Sequence, residues 1–160
     1  MRKMLAIGAT KFLIWLGQAM NKQGSSTPGK IGLKIYPNLL KDLAAQVRED
    51  IFVVCGTNGK TTTNNLLCEA LRSEGKKVVC NSAGANMLYG IVTAFADSAS
   101  ISGKLNADCA CIEIDEASAR RAFPHFKPNY MVLTNLFRDQ LDRYGEIDIT
   151  VDVLKEDLAM

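Results

Sequence analysis

The stretch Cys55-Gly56-Thr57-Asn58-Gly59-Lys60-Thr61-Thr62-Thr63 follows a short apolar run and precedes a helical pattern. That order of strand, glycine-containing turn, Lys-Thr and helix suits a phosphate-binding loop. The glycines let the backbone turn tightly and approach an anion, and the helix start adds about half a positive charge. Lys60 can reach β- and γ-phosphates as a point charge, and the Thr61 hydroxyl can ligate Mg²⁺. Gly56, Thr57, Asn58, Gly59, Lys60, Thr61 and Thr62 are therefore the candidate nucleotide contacts. The general pattern has a glycine five positions before Gly59, where this chain has Val54. The competing reading is a Gly-Asn turn that only caps a helix.

A phosphate loop needs a strand behind it and a sheet around that strand. Four apolar runs meet the requirement: IFVVC from 51, KVVC from 77, CACIEI from 109 and YMVLTN from 130. The stretches between them are long enough for crossover helices. This predicts an α/β fold, a parallel sheet with helices on both faces. In the first crossover helix, Leu66, Leu67, Ala70 and Leu71 are expected to line the buried side, and Gly75 to supply a left-handed C-terminal residue. Ligands of such sheets bind at the carboxyl ends of the strands, which directs attention to Gly56, Asn81, Asp115 and Asn135. Glu113 ends its strand at the edge where the phosphate loop opens. Asp115 and Glu116 read as helix-capping residues. Asn135 either holds a metal-bound water or phosphate oxygen, or shapes its turn.

The compact loop GTNGKTT resembles that of the Mur ligase superfamily, which includes the folylpolyglutamate synthases. Three further stretches carry the resemblance: Asn81 to Met87 (NSAGANM), Cys111 to Ala117 (CIEIDEA) and Thr134 to Gly145 (TNLFRDQLDRYG). With GSSTPGK from Gly24 to Lys30, they resemble one branch of that superfamily over about residues 11–150. The resemblance implies an incomplete Mur ligase central domain over 51–160, preceded by an N-terminal helical segment and linker over 1–50. It implies ATP and Mg²⁺ as cofactors, with Lys60 and Glu113 catalytic and Thr61 and Glu113 contacting the metal. The implied reaction is ATP-dependent amidation of the α-carboxylate of D-glutamate in the lipid II stem peptide, through an acyl phosphate. The implied partner is a GatD-like glutamine amidotransferase that supplies ammonia, the substrate is membrane-borne lipid II, and the place is the cytoplasm or the inner face of the membrane. Much of the superfamily has Asp-His where this chain has Asp139-Gln140. An amide is a weaker ligand than imidazole, so a second metal is either missing or held differently. Lys155 matches no motif, and no role is carried over to it. The alternatives are another Mur-type or folylpolyglutamate synthase-like ligase, and a noncatalytic nucleotide-binding fragment.

Composition agrees with a globular domain: 160 residues, 48% apolar, with a formal charge of +2 and no long basic run. That balance gives no reason to expect nucleic-acid binding. The five cysteines (Cys55, Cys68, Cys80, Cys109 and Cys111) are expected to be buried free thiols, Cys109 and Cys111 sharing one face of a strand. His125, after Pro124, reads as a surface residue, and Asp142-Arg143 as a local ion pair. Residues 21–30 (NKQGSSTPGK) read as a loop or linker. Leu39, Leu40, Leu43, Ala44 and Val47 define the buried stripe of a helix after Pro37. The first helix is too short and broken for a membrane span; Phe12, Trp15 and Leu16 either rest on a membrane surface or, the preferred reading, pack against a missing part of the protein. Met160 reads as the end of a fragment whose cut sheet leaves an edge and helix faces uncovered.

Overall fold

The computed structural model describes residues 1–20, 26–81 and 85–135. Three helices come first: α1 (Arg2–Ala19), α2 (Ser26–Ile35) and α3 (Leu39–Ala44). Strands and helices then alternate through β1 (Ile51–Cys55), α4 (Lys60–Ser73), β2 (Val78–Cys80), α5 (Leu88–Ser98), β3 (Cys109–Glu113), α6 (Glu116–Ala122) and β4 (Tyr130–Leu133). The four expected strands form one parallel sheet in the order β2-β3-β1-β4. In the register of its central pair, Val54 lies beside Glu113.

Alternation along the strands divides the side chains between two layers. Val53, Cys55, Val79, Ala110, Ile112 and Ile114 join Ile91, Val92 and Phe95 of α5, Leu39, Leu40 and Leu43 of α3, and Ala6 and Ile7 of α1 in a single core. Each fully buried large side chain there contributes about 1.5–3 kcal/mol relative to exposure. Cys68 of α4 lies on the other layer with Cys80 and Cys111. The adjacent Cys111 and burial push the Cys68 thiol up to about 12, so it stays protonated at neutral pH. None of the five cysteines is in a disulfide, and four of them are buried.

Three local expectations need correction. Residues 26–30, read as part of a loop, open α2, because Pro28 sits in its first turn, where a missing N–H costs no hydrogen bond. Residues 21–25 lie outside the described residues. The buried row of α4 is Asn64 and Cys68, flanked by half-buried Leu67 and Leu71; Leu66 and Ala70 belong to the neighbouring row and face outward. Gly75 does take the left-handed C-terminal position, at φ +79°. His125 is half-buried, and burial, with Lys41 adding to it, lowers its pKa below the usual histidine range.

The seam between α2 and α5 depends on one missing side chain. A Cβ on Gly29 would stand 1.9 Å from the carbonyl oxygen of Tyr89 and 2.7 Å from Thr93 Oγ1. The backbone oxygen cannot move without displacing α5. Gly29→Ala is expected to destabilise the fold by about 1–3 kcal/mol, lowering Tm by roughly 2–10 °C. Calorimetry of the variant checks this, and an unchanged Tm would show that the helices can separate freely.

Candidate functional site

The candidate phosphate loop is the link between β1 and α4. Gly56 follows the last strand residue at φ +131°, and Gly59 stands just before the helix at φ +82°. Both angles fall where side chains are strained. As N-cap of α4, Gly59 offers no side-chain hydrogen bond to the helix start. The first intrahelical bond is donated by the Thr63 N–H to the Gly59 oxygen. The N–H groups of Lys60, Thr61 and Thr62 therefore have no acceptor within the helix and head the positive end of its dipole. Lys60 folds back over the loop, where Nζ donates to the Gly56 and Thr57 carbonyls.

Glu113 reaches this loop because β3 lies beside β1. Its carboxylate is buried, at 3% exposure for the residue, and accepts a hydrogen bond from Thr61 Oγ1 at 2.8 Å. The second oxygen accepts from Asn86 Nδ2 at 3.4 Å. A hydroxyl and a carboxylate in contact at a helix N-terminus are hard oxygen donors of the kind Mg²⁺ takes, and the open N–H groups with Lys60 suit phosphate oxygens. The donor chemistry thus fits a nucleotide phosphate with its cation.

Two asparagines hold this geometry. The Asn81 amide grips the Glu113 backbone at both ends: Nδ2 donates to its oxygen at 2.7 Å, and Oδ1 accepts from its N–H at 2.8 Å. Nδ2 also donates to Ala85 O at 2.9 Å. Asn81 follows the last residue of β2, so its side chain continues the ladder where the strand backbone stops. Asn135 braces the loop in the same manner. Its Oδ1 accepts from the Asn58 N–H at 2.9 Å, Nδ2 donates to Asn58 O at 3.0 Å, and its carbonyl accepts from the Thr57 N–H at 2.9 Å. Of the two readings of Asn135, the geometry displays the turn-shaping one. Thr134 Oγ1 adds a bond to Asn58 O at 2.8 Å, and it leaves no room for a side chain on Gly56, whose Cβ would stand 2.3 Å away.

The structure therefore brings Gly56, Thr57, Asn58, Gly59, Lys60, Thr61, Glu113 and Asn135 to one sheet edge, with Thr62 in the first turn of α4. Asp115 directly precedes α6, and its carbonyl accepts from the Ser118 and Ala119 N–H groups. Asp139-Gln140, Asp142-Arg143 and Lys155 lie outside the described residues. Sequence reasoning missed the contact of Asn86 with Glu113 and the bracing by Thr134. Thr134 directly follows β4, whereas Asn86 stands two residues before α5, and the partners of both are distant in sequence. Removing the Asn81 clamp leaves a buried N–H and C=O of Glu113 unpaired, at about 1–3 kcal/mol each. Asn81→Ala is expected to lower stability by at least about 1 kcal/mol in urea unfolding and to weaken Mg²⁺-dependent nucleotide binding; a change in neither would remove Asn81 from the support of the site.

A glycine turn from a parallel strand into a helix, with an acid from the adjacent strand, defines the class of this candidate phosphate site. Residues 54–155 match the Mur ligase middle domain, and the chain belongs to this family. It is 42% identical over 159 residues to the MurT subunit of lipid II isoglutaminyl synthase (glutamine-hydrolyzing) from Staphylococcus aureus, an alignment covering 99% of this chain and 35% of that protein. The MurT subunit of Streptococcus pneumoniae is 42% identical over 82% of the chain and 29% of its own length. UDP-N-acetylmuramate--L-alanine ligase of Nocardioides sp. is 32% identical over 71% of the chain and 23% of its own length. The chain thus spans about a third or less of the curated relatives it matches.

Proposed function

We propose that this chain is the nucleotide-binding part of a MurT-type ligase that amidates the α-carboxylate of D-glutamate in the lipid II stem peptide to D-isoglutamine. The observation that carries the reading is the 2.8 Å hydrogen bond between Thr61 and Glu113 at the start of a helix whose N-cap is a glycine. The likeness to the two MurT subunits supports the choice of substrate. In this reading residues 51 onward belong to the ATP-binding central domain, and residues 1–50 are its helical N-terminal segment.

The substrate carboxylate oxygen attacks the γ-phosphorus of ATP, ADP leaves, and an acyl phosphate results. Ammonia then attacks the acyl carbon, and phosphate departs with one oxygen of the original carboxylate. A GatD-like glutaminase subunit supplies the ammonia, and the work is done on the cytoplasmic side, where lipid II is presented. Gly56, Thr57, Asn58, Gly59 and Thr62 form the cradle for the triphosphate, and Asn135 keeps that cradle in shape. The Lys60 ammonium leaves the Gly56 and Thr57 carbonyls to meet the transferred phosphoryl group, and positioning supplies much of the rate. Mg²⁺, held by Thr61 and Glu113, would offset phosphate charge.

The test uses the whole protein with its glutaminase partner and lipid II labelled with ¹⁸O in the D-glutamate α-carboxylate. One labelled oxygen is expected in each phosphate released. Amide formation with unlabelled phosphate would reject the acyl phosphate route.

A further inference from the structure

The outward face of α1 departs from the usual pattern of a surface helix. Ala6, Ile7 and Thr10 point into the protein, where Thr10 Oγ1 donates to Ala6 O and Pro28 O and α2 closes over them. At about 100° per residue, the opposite side carries Met1, Met4, Leu5, Gly8, Phe12, Trp15, Leu16 and Ala19, with no polar side chain among them. Leu5 is 64% exposed, Phe12 58% and Trp15 61%, and the Phe12 and Trp15 rings lie side by side, 6.0 Å between centroids. A helix that is apolar on both sides belongs in contact with something apolar on both sides. Among the described residues no helix is long and apolar enough to cross a membrane.

Charge identifies the occupant. Residues 1–41 contain seven Lys and Arg and no Asp or Glu, whereas residues 42–160 contain twelve basic and seventeen acidic residues. Arg2 and Lys11 flank the apolar stripe on its two sides, and Lys30 and Lys34 are exposed on the adjoining α2. Lys11 also donates to Asp97 O at 2.5 Å and stands 3.8 Å from its carboxylate. An apolar strip rich in large side chains, with a Trp among them and cations at its rim, has the composition of a helix lying at the interface of an anionic bilayer. A second copy would bring two basic segments together, which like-charge repulsion opposes.

We infer that the outer face of α1 docks on the surface of an anionic lipid bilayer, with Phe12, Trp15 and Leu16 in the headgroup region and the basic residues of α1 and α2 against acidic headgroups. The inference deepens the membrane-side location proposed above but rests on this surface alone, so Mg·ATP binding measured on the same samples reports separately on the ligase reading.

The experiment is flotation of the whole protein with vesicles of phosphatidylcholine, with and without about one third phosphatidylglycerol. Flotation is expected with the anionic vesicles, reduced at least about tenfold by high salt or by neutral lipid. The double variant Phe12→Ser/Trp15→Ser is expected to reduce it by a similar factor with Mg·ATP binding unchanged. A readout that needs no variant is quenching of tryptophan fluorescence by lipids brominated near the headgroup, expected for the wild type. Failure to float with either vesicle, flotation indifferent to lipid charge, or absence of quenching would overturn the inference. Self-association that the double variant abolishes, without vesicle binding, would do so in favour of a second copy. Protection of the α1 face from labelling in vesicle-free protein would do so in favour of another part of the protein covering it.

Discussion

Lys60→Ala is expected to weaken Mg·ATP binding by about 10- to 100-fold and to cut ligase turnover by a larger factor, about 10²–10³. Lys60 is the first residue of α4, and its ammonium already lies within the loop, satisfied by the Gly56 and Thr57 carbonyls. A charge-assisted hydrogen bond to a phosphate oxygen is worth about 1.5–3 kcal/mol, which sets the loss in affinity. Turnover falls further because negative charge shifts during phosphoryl transfer and the fixed cation is worth most there. Stability should change little, since the bonds lost lie at a partly exposed loop. Lys60→Arg is not expected to rescue, because the planar fork does not fit where a compact ammonium sits. Calorimetric titration with Mg·ATP gives the affinity, and phosphate release with the complete substrate set gives the turnover. Equal affinity for wild type and Lys60→Ala would reject the phosphate loop.

The second large effect is expected at Glu113. Glu113→Gln keeps the size of the side chain and can still accept from Thr61 Oγ1, so the fold should hold to within about 1 kcal/mol. What it loses is the negative charge, and a hard divalent cation prefers a carboxylate to an amide. The Mg²⁺ concentration that half-supports nucleotide binding is expected to rise at least about tenfold, with metal-free nucleotide binding unchanged or slightly stronger. Thr61→Ala should act on the same midpoint. If the two groups serve one ion, as proposed, the double variant should shift it by less than the separate shifts added. Purely additive shifts would indicate that Thr61 and Glu113 do not share a ligand, and an unmoved midpoint in Glu113→Gln would remove the acid from the site.

The sheet and the loop were legible because their signals are local. Four short apolar runs with helical stretches between them specify a buried parallel sheet, and two glycines before Lys-Thr specify a turn that only such residues can make. Glu113 was legible for a related reason: a charged residue ending a buried run must face a rim. The start of α2 was hidden because Gly, Ser, Thr and Pro are common in loops as well as in the first turn of a helix. Pro28 was the residue that could decide, and Gly29 and Gly32 reflect packing against α5 and α1 that no local pattern reports. The inward row of α4 was misplaced because sequence ranks Leu66 above Asn64, whereas the sheet beneath it accommodates Asn64, whose Nδ2 donates to Cys80 Sγ at 3.3 Å. The asparagine braces escaped for the same reason. Asn81 and Glu113 are 32 positions apart, and Asn58 and Asn135 are 77 apart. Only the fold brings them together.

Every role proposed above depends on the turn between β1 and α4 holding the triphosphate. The most direct measurement is a crystal structure of the whole protein with Mg²⁺ and a nonhydrolysable ATP analogue. Expected are phosphate oxygens against the N–H groups of Gly59 to Thr62, Lys60 Nζ turned from the loop carbonyls toward the terminal phosphates, and the cation touching Thr61 and Glu113. A nucleotide bound elsewhere, with Lys60 still on the Gly56 and Thr57 carbonyls and Thr61 still bonded to Glu113, would contradict it.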